Sequence, residues 1–455
     1  MAFGRCRRGR DYRSGVRRPL AALAALAVVS TAATGALGPA FGSTTKGAAH
    51  AGARQAVARR QAAPATPIRY VQWSSGPRFQ HGTLAGLRVA HGRLLVDSPV
   101  GSRRYPGSDG RLHSYEFGTW TSPWVHPGFG LTQLVASWHA TTPRDTWLQV
   151  EVRGVDASGR LSGWDTLARW SAGDMHIDRT SAGPQRDDLA HVATDTWIAN
   201  DGETFTSWQL RATLYRRAGT RVTPRLITLG AMASHLPADP GAIAPSPTTI
   251  TQRVVLPVPK YSQMVHRNQY AQWGGGGEAW CSPTSTSMVL GYYGALPPAS
   301  SYTWVDPGYQ DRWVDAVARG TYDYGYHGTG NWPFNTAFAA NRTGRAFVTR
   351  LRSLREAETL IKAGIPVVAS IAFGPGGLDH APISATNGHL VVIVGFAANG
   401  DPIVNDPAAK RDRWVRRTYR RGQFERAWLN GSGGLAYLIT DRAHPLPAPR
   451  RSTNW

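Results

Sequence analysis

From about residue 68 to residue 235 the chain alternates apolar and polar positions with a period of two. In WLQVEVRGVDASGRLSGW, Leu148, Val150 and Val152 fall on one side of the pleat and Gln149, Glu151 and Arg153 on the other, before a turn at Asp156–Gly159. SWQLRATLYRR repeats the pattern, with Trp208, Leu210, Ala212 and Leu214 on one face. Strands with one apolar and one polar face build antiparallel sheets that bury one side only. The segment 68–235 therefore predicts an all-β sandwich or jelly roll. Residues 236–252, LPADPGAIAPSPTTITQ, break the alternation with Pro and small polar residues and predict a stiff linker. Beyond the linker the period changes. SLREAETLIKAG sets Leu354, Ala357, Leu360 and Ile361 on one helical face and stops at Gly364. IPVVASIAF and HLVVIVGF (389–396) read as buried strands, DPIVNDP (401–407) as a short strand after an Asn399-Gly400 turn, GQFERAW as a short helix and GGLAYLIT as a closing strand. Residues 253–445 thus predict an α+β domain.

The first 51 residues read as an export signal. Seven arginines precede the apolar stretch PLAALAALAVVSTAATGAL, which is short and Ala-rich for a membrane span, and Ala49-His50-Ala51 offers a cleavage site. The Arg17-Arg18 pair leaves the twin-arginine route open beside the general secretory one. Residues 52–67 read as a flexible spacer. A secreted protein without stable membrane insertion is expected.

Composition adds three constraints. The 455 residues are 42% hydrophobic and 18% charged, which suits more than one globular core. Of the 17 tryptophans, nine lie in the β region, where core packing is the commoner role and stacking on sugar rings the rarer one. A formal charge of +22 fits an anionic wall polymer or carbohydrate surface as a partner of the β domain. Charge alone would suit nucleic acid equally, but the basic residues are scattered except in KRDRWVRRTYRR (410–421), which reads as a solvated strand face. No nucleic-acid partner is expected, and a monomer is.

The chain has two cysteines, Cys6 in the signal and Cys281. Exported proteins normally pair their cysteines, so a lone thiol is either buried and inert or kept for its reactivity. Cys281 follows GGGGEAW and precedes Ser282-Pro283 and a run at helical spacing, which puts the sulfur beside a helix start. Amide N–H groups and the helix dipole there favour the thiolate. His389 opens an apolar strand after Asn387-Gly388, and Asp406 lies across the Asn399-Gly400 hairpin at the same end. Singly, a strand-end histidine and a DP turn are bland. With the lone cysteine they make a thiol, an imidazole and an orienting acid. Gln263, 18 residues before the cysteine, offers an amide to an oxyanion. Trp280, Ser282 and Gly388 are expected to touch substrate. Asp379-His380 lies in a Gly-rich segment read as a rim loop, and His266, His327 and Asp401 stay open as further candidates. GTG at 328–330 is not a phosphate loop. No Cys/His group has metal spacing, so neither metal nor cofactor is expected.

The blocks VPKYSQ, WCSPTSTSMVLGYYG, AGIPVVASI, GHLVVIVGF and IVNDP, in this order over roughly 253–441, resemble the C39-type cysteine peptidases, here in an exported protein of actinobacterial type. Founding members of that papain-like family trim double-glycine leaders from bacteriocin precursors. The resemblance implies a papain-like fold with Cys281 as nucleophile, His389 as general base and acid, Asp406 orienting it, and Gln263 in the oxyanion hole. Ser282 stands where the family commonly has Gly. The chain shows an export signal and neither transporter segments nor a nucleotide-binding motif, so leader trimming does not carry over. A cysteine peptidase or amidase acting on peptide or isopeptide bonds, with a peptide or cell-wall-derived substrate, is the leading expectation. Acyl or peptidyl transfer by the same residues, and a non-catalytic surface or carbohydrate binder, are the alternatives.

Overall fold

A computed structural model describes residues 66–183, 185, 189–448 and 453–455. The export signal, most of the spacer and Cys6 lie outside these residues. Among the described residues there are three seven-stranded sheets, every strand pair within them antiparallel, and six α-helices.

The first two sheets are built from residues 68–234. One is ordered Ala190–Ala193, Thr196–Ala199, Gln133–Thr141, Arg225–Ser234, Arg93–Val96 and Leu87–Ala90, with Ile68–Ser74 also paired to Arg225–Ser234. The other centres on Thr146–Asp156 and Phe205–Arg217, whose register runs from Phe205 opposite Asp156 to Arg216 opposite Thr146. The inward sides of both sheets feed one core, in which Trp73, Trp120, Trp138, Trp170, Trp197 and Trp208 are buried. Edge-to-face pairs such as Phe79–Trp120 (5.4 Å) and Trp73–Trp208 (5.9 Å) fill it. Most of the nine tryptophans pack inward because the period-two pattern leaves them no other face.

The third sheet is ordered Arg345–Arg350, Leu435–Thr440, Val367–Phe373, Thr386–Phe396, Pro402–Asn405 and Arg416–Thr418, with Val254–Val255 also paired to Thr386–Phe396. The helix Cys281–Tyr292 packs on one side through Met288, Val289 and Leu290, against Val368, Leu390 and Val392. Helices Leu354–Lys362 and Arg421–Ser432 cover the other side with Leu360, Ile361, Phe424 and Trp428. This gives a helix–sheet–helix layering, and residues 282–290 are buried on every side. No helix among the described residues is long and apolar enough to cross a membrane.

Residues 236–252 form no helix or strand, yet they are held. Ser246 N donates to Glu425 (2.7 Å), and Thr248 Oγ1 and Thr249 N donate to Glu358 (both 2.7 Å). The two halves also share apolar core. Phe334 and Ala337 of the later half sit in the core of the first two sheets, and Ile68, Val135 and Met232 sit in the core under the third.

The basic run 410–421 is not a solvated face throughout. Tyr419 is buried, Arg416 donates to Asn405 and to the Val258 carbonyl, and Arg421 pairs with the buried Glu358 at 2.7 Å. Arg416 and Arg421 are drawn inward by neutral oxygens and one carboxylate that a one-dimensional pattern does not display, while Lys410, Arg411, Arg413 and Arg420 stay exposed.

Candidate active site

Four loop and strand ends meet at one cleft of ≈ 1040 Å³. Cys281 is the first residue of the helix Cys281–Tyr292, and its side chain is half-buried. Ser285 of that helix donates to the Leu390 carbonyl at 3.0 Å, which fastens the helix to the strand that begins at His389. The strand pairing steps out of register between Ile371 and Phe373, opposite Asn387-Gly388. Such a bulge re-aims the neighbouring side chain.

His389 Nε2 lies 2.8 Å from Asp406 Oδ1, with both side chains buried. Its other ring nitrogen is not taken by Asp406, and the Cys281 sulfur, which lines the same cleft, is near enough to act on the imidazole electrostatically. Asp406 has a partner on each oxygen. Oδ1 also accepts from Ala408 N (3.0 Å), and Oδ2 accepts from the Tyr419 hydroxyl (2.7 Å). Burial alone would raise the Cys281 thiol. It is outweighed by the imidazole and by amide N–H groups of Leu390 and Ser282, so the thiol is held below its ordinary range. Burial opposes charge on His389 as well, but the Asp406 carboxylate and the sulfur push it up to about 10. Asp406 in turn is held low, since His389 and the Tyr419 hydroxyl overcome its own burial. The three groups together favour thiolate and imidazolium.

Gln263 lines the same cleft. Its Nε2 donates to the Glu278 carbonyl at 2.7 Å, and its backbone N donates to the Pro407 carbonyl at 2.9 Å. Only a nitrogen can donate to that carbonyl, so the amide orientation is fixed and one N–H of the NH₂ group remains for another acceptor. Gly277 makes this possible, because a Cβ there would lie 2.4 Å from both Gln263 O and His266 C. The glycine run thus lets two backbone segments touch behind the cleft. Gly274, Gly275 and Gly276 all have positive φ (79°, 97° and 95°).

Gly388 lines the cleft, as do His327 and the GTG segment 328–330. Trp280 and Ser282 correct the expectation that they touch substrate. Trp280 is 0% exposed, with its indole N–H given to the Trp273 carbonyl at 2.7 Å. Ser282 is equally buried, its hydroxyl 3.0 Å from the Tyr437 hydroxyl. Ser282 is not among the residues of positive φ, so the backbone after Cys281 does not require glycine. His266 pairs with Asp315 in the interior (3.2 Å), Asp401 caps Arg421 N (2.8 Å), and Asp379 contacts Arg420 (3.6 Å), all outside the cleft lining.

Sequence reasoning missed three contributors. Tyr419 was hidden in a run read by its charge. Asp195 accepts from Trp332 N at 2.7 Å and brings a hairpin tip of the first half, with Thr194 at φ +55°, to the cleft. Arg350 lines it from the third sheet. Burial holds the Asp195 carboxyl up at about 7.

A thiol at a helix start thus shares the cleft with an imidazole held by a buried carboxylate. In comparison with known families, residues 255–435 match the Peptidase C39-like family and residues 69–234 match the Peptidase C39 N-terminal domain. The chain carries a C39-like peptidase domain. No curated protein matches it. Among solved structures, it is similar to the C-terminal family 22 carbohydrate binding module of Clostridium thermocellum Xyn10B, at 12% identity over 37% of this chain and 87% of that one, with a TM-score of 0.14. A structure of infectious bursal disease virus Gt strain is similar at 11% identity over 40% of this chain and 68% of that one, with a TM-score of 0.11.

Proposed function

We propose that the protein is a cysteine peptidase or amidase of papain-like architecture, with Cys281 as nucleophile. The observation that carries this reading is the relay from sulfur through His389 to Asp406, buried at one end and open to the cleft at the other. The thiolate attacks the scissile carbonyl carbon, and a C–S bond forms. The oxyanion accepts hydrogen bonds from the free N–H of Gln263 and the amide of Cys281. His389 then gives its proton to the leaving nitrogen as the C–N bond breaks. Water attacks the thioester while His389 takes its proton, the C–S bond breaks, and the acid leaves. Sulfur and imidazolium return to their starting charges. The basic, apolar and small-residue pattern of residues 1–51 supports an exported protein, in which loss of Cys6 with the signal would leave Cys281 no partner for a disulfide within the chain.

The test uses the full chain with a peptide library and iodoacetamide. Cys281 should alkylate in the native protein with an apparent pKa below the usual ~8.5 of a free thiol. His389→Ala should return that pKa to the ordinary range and lower turnover by about 10²–10⁴-fold. Alkylation only after denaturation, or undiminished cleavage by Cys281→Ala, would refute the assignment.

A further inference from the structure

The catalytic cleft contains one Arg or Lys side chain among its described lining residues, Arg350. It is 1% exposed. Its guanidinium is held by neutral oxygens only: Nε donates to Ser234 Oγ (3.2 Å), Nη2 to Gln133 Oε1 (2.6 Å), and Nη1 to the Ser432 carbonyl. Five N–H donors less these three leave two for another acceptor. Among the described residues the one carboxylate that acts on it is Asp195, from beyond ion-pair contact. Burial lowers its pKa to about 10, so it stays charged at neutral pH. A buried cation without an adjacent anion is costly, and the cost falls when an anion arrives.

Its position relative to the sulfur is set by the sheet. Arg350 pairs with Leu435, Ala436 with Ala369, and Ser370 with Leu390, so Arg350, Leu435, Ser370 and Leu390 form one row across four strands. The row ends beside His389, about 14 Å from Arg350 at ~4.8 Å per strand spacing. Extended peptide covers that distance in about four residues at ~3.4 Å each. Ser370, Ser432 and Leu390 line the cleft between the two ends.

We propose that Arg350 recognises a carboxylate of the substrate, so that the cleft prefers peptides bearing one about four residues from the bond at Cys281. The inference rests on the peptidase reading and names its substrate class. Gln133 and Ser234 belong to the first half of the chain, so that half orients the recognising group. The carboxylate is either a peptide C-terminus or an acidic side chain.

Hexapeptides made as C-terminal acids, as C-terminal amides, and as amides with an interior Glu or Gln separate these sources. Each is tested for hydrolysis and, without turnover, for protection of Cys281 against iodoacetamide. The intact chain should favour one carboxylate form over its neutral twin by on the order of tenfold, the worth of one charge-assisted hydrogen bond. Gln133→Glu keeps an acceptor on Nη2 but supplies the missing anion. It should abolish the preference while leaving thermal stability equal or higher, whereas a purely structural Arg350 would gain stability with selectivity unchanged. Arg350→Lys, which loses the planar fork, should weaken the preference as well. Equal protection by acid and neutral forms, protection by neither, or a preference that survives Gln133→Glu overturns the proposal. Carboxylate-selective protection without any hydrolysis leaves it standing and refutes the peptidase reading.

Discussion

Under the peptidase reading, Tyr419 shows how far the chemistry at Cys281 depends on groups that never meet substrate. Its hydroxyl gives Asp406 the 2.7 Å contact that completes the carboxylate and keeps Oδ1 aimed at His389. Tyr419→Phe should lower kcat with KM little changed, because it disturbs positioning rather than binding. It should also cost about 1.5–3 kcal/mol of stability, the range for a hydrogen bond to a charged group, measurable by denaturant unfolding. Under the peptidase reading the pH profile follows from the same residues. Cys281 is held below its ordinary range and His389 is raised to about 10, so the ion pair exists between those limits. Activity should rise as the thiol loses its proton on the acid side, stay level through neutrality, and fall near pH 10 as the imidazolium deprotonates. A rising limb centred near the ordinary thiol range would contradict this, and kcat/KM across pH reads it directly.

At the level of elements, what the sequence made legible was local. The glycine run, the lone cysteine before Ser-Pro and the Asn399-Gly400 hairpin lie within short windows, and each forms where the pattern put it. The partners that pin these elements are remote: Ser285 reaches Leu390 across 105 positions, and Asp195 reaches Trp332 across 137. Period and composition say which side of an element is buried, never which neighbour buries it. Trp280 and Ser282 illustrate the cost. Their place beside the sulfur suggested contact with substrate, but the helical turn directs both side chains into the core. Gly277 is the element-scale test. Gly277→Ala should push the Gln263 turn away, destabilise by about 1–3 kcal/mol as overpacking does, and lower kcat. That loss should not exceed the ~10²–10³-fold that one oxyanion donor is worth.

For the whole molecule, the alternating segment and the α+β segment were each legible, but not that they share core and cleft. Trp138 of the first half meets Phe334 of the second at 6.1 Å, and Val348 N donates to Ser137 Oγ at 2.9 Å. The first half therefore forms a wall of the cleft rather than a separate appendage. One further property belongs to the chain as a whole. Under the proposed removal of residues 1–51, which takes Cys6 with it, Cys281 is the sole thiol of the mature chain. Peroxide should convert the Cys281 thiolate to a sulfenic acid with no second thiol in the same chain to capture it. Inactivation by peroxide should then be reversed by added dithiothreitol and leave no internal disulfide by mass spectrometry, while prolonged exposure should drive the sulfur irreversibly to the sulfinic state. Recovery would then be set by whatever small thiols the surroundings supply, so the proposed peptidase would work only as long as its medium is reducing enough to repair it.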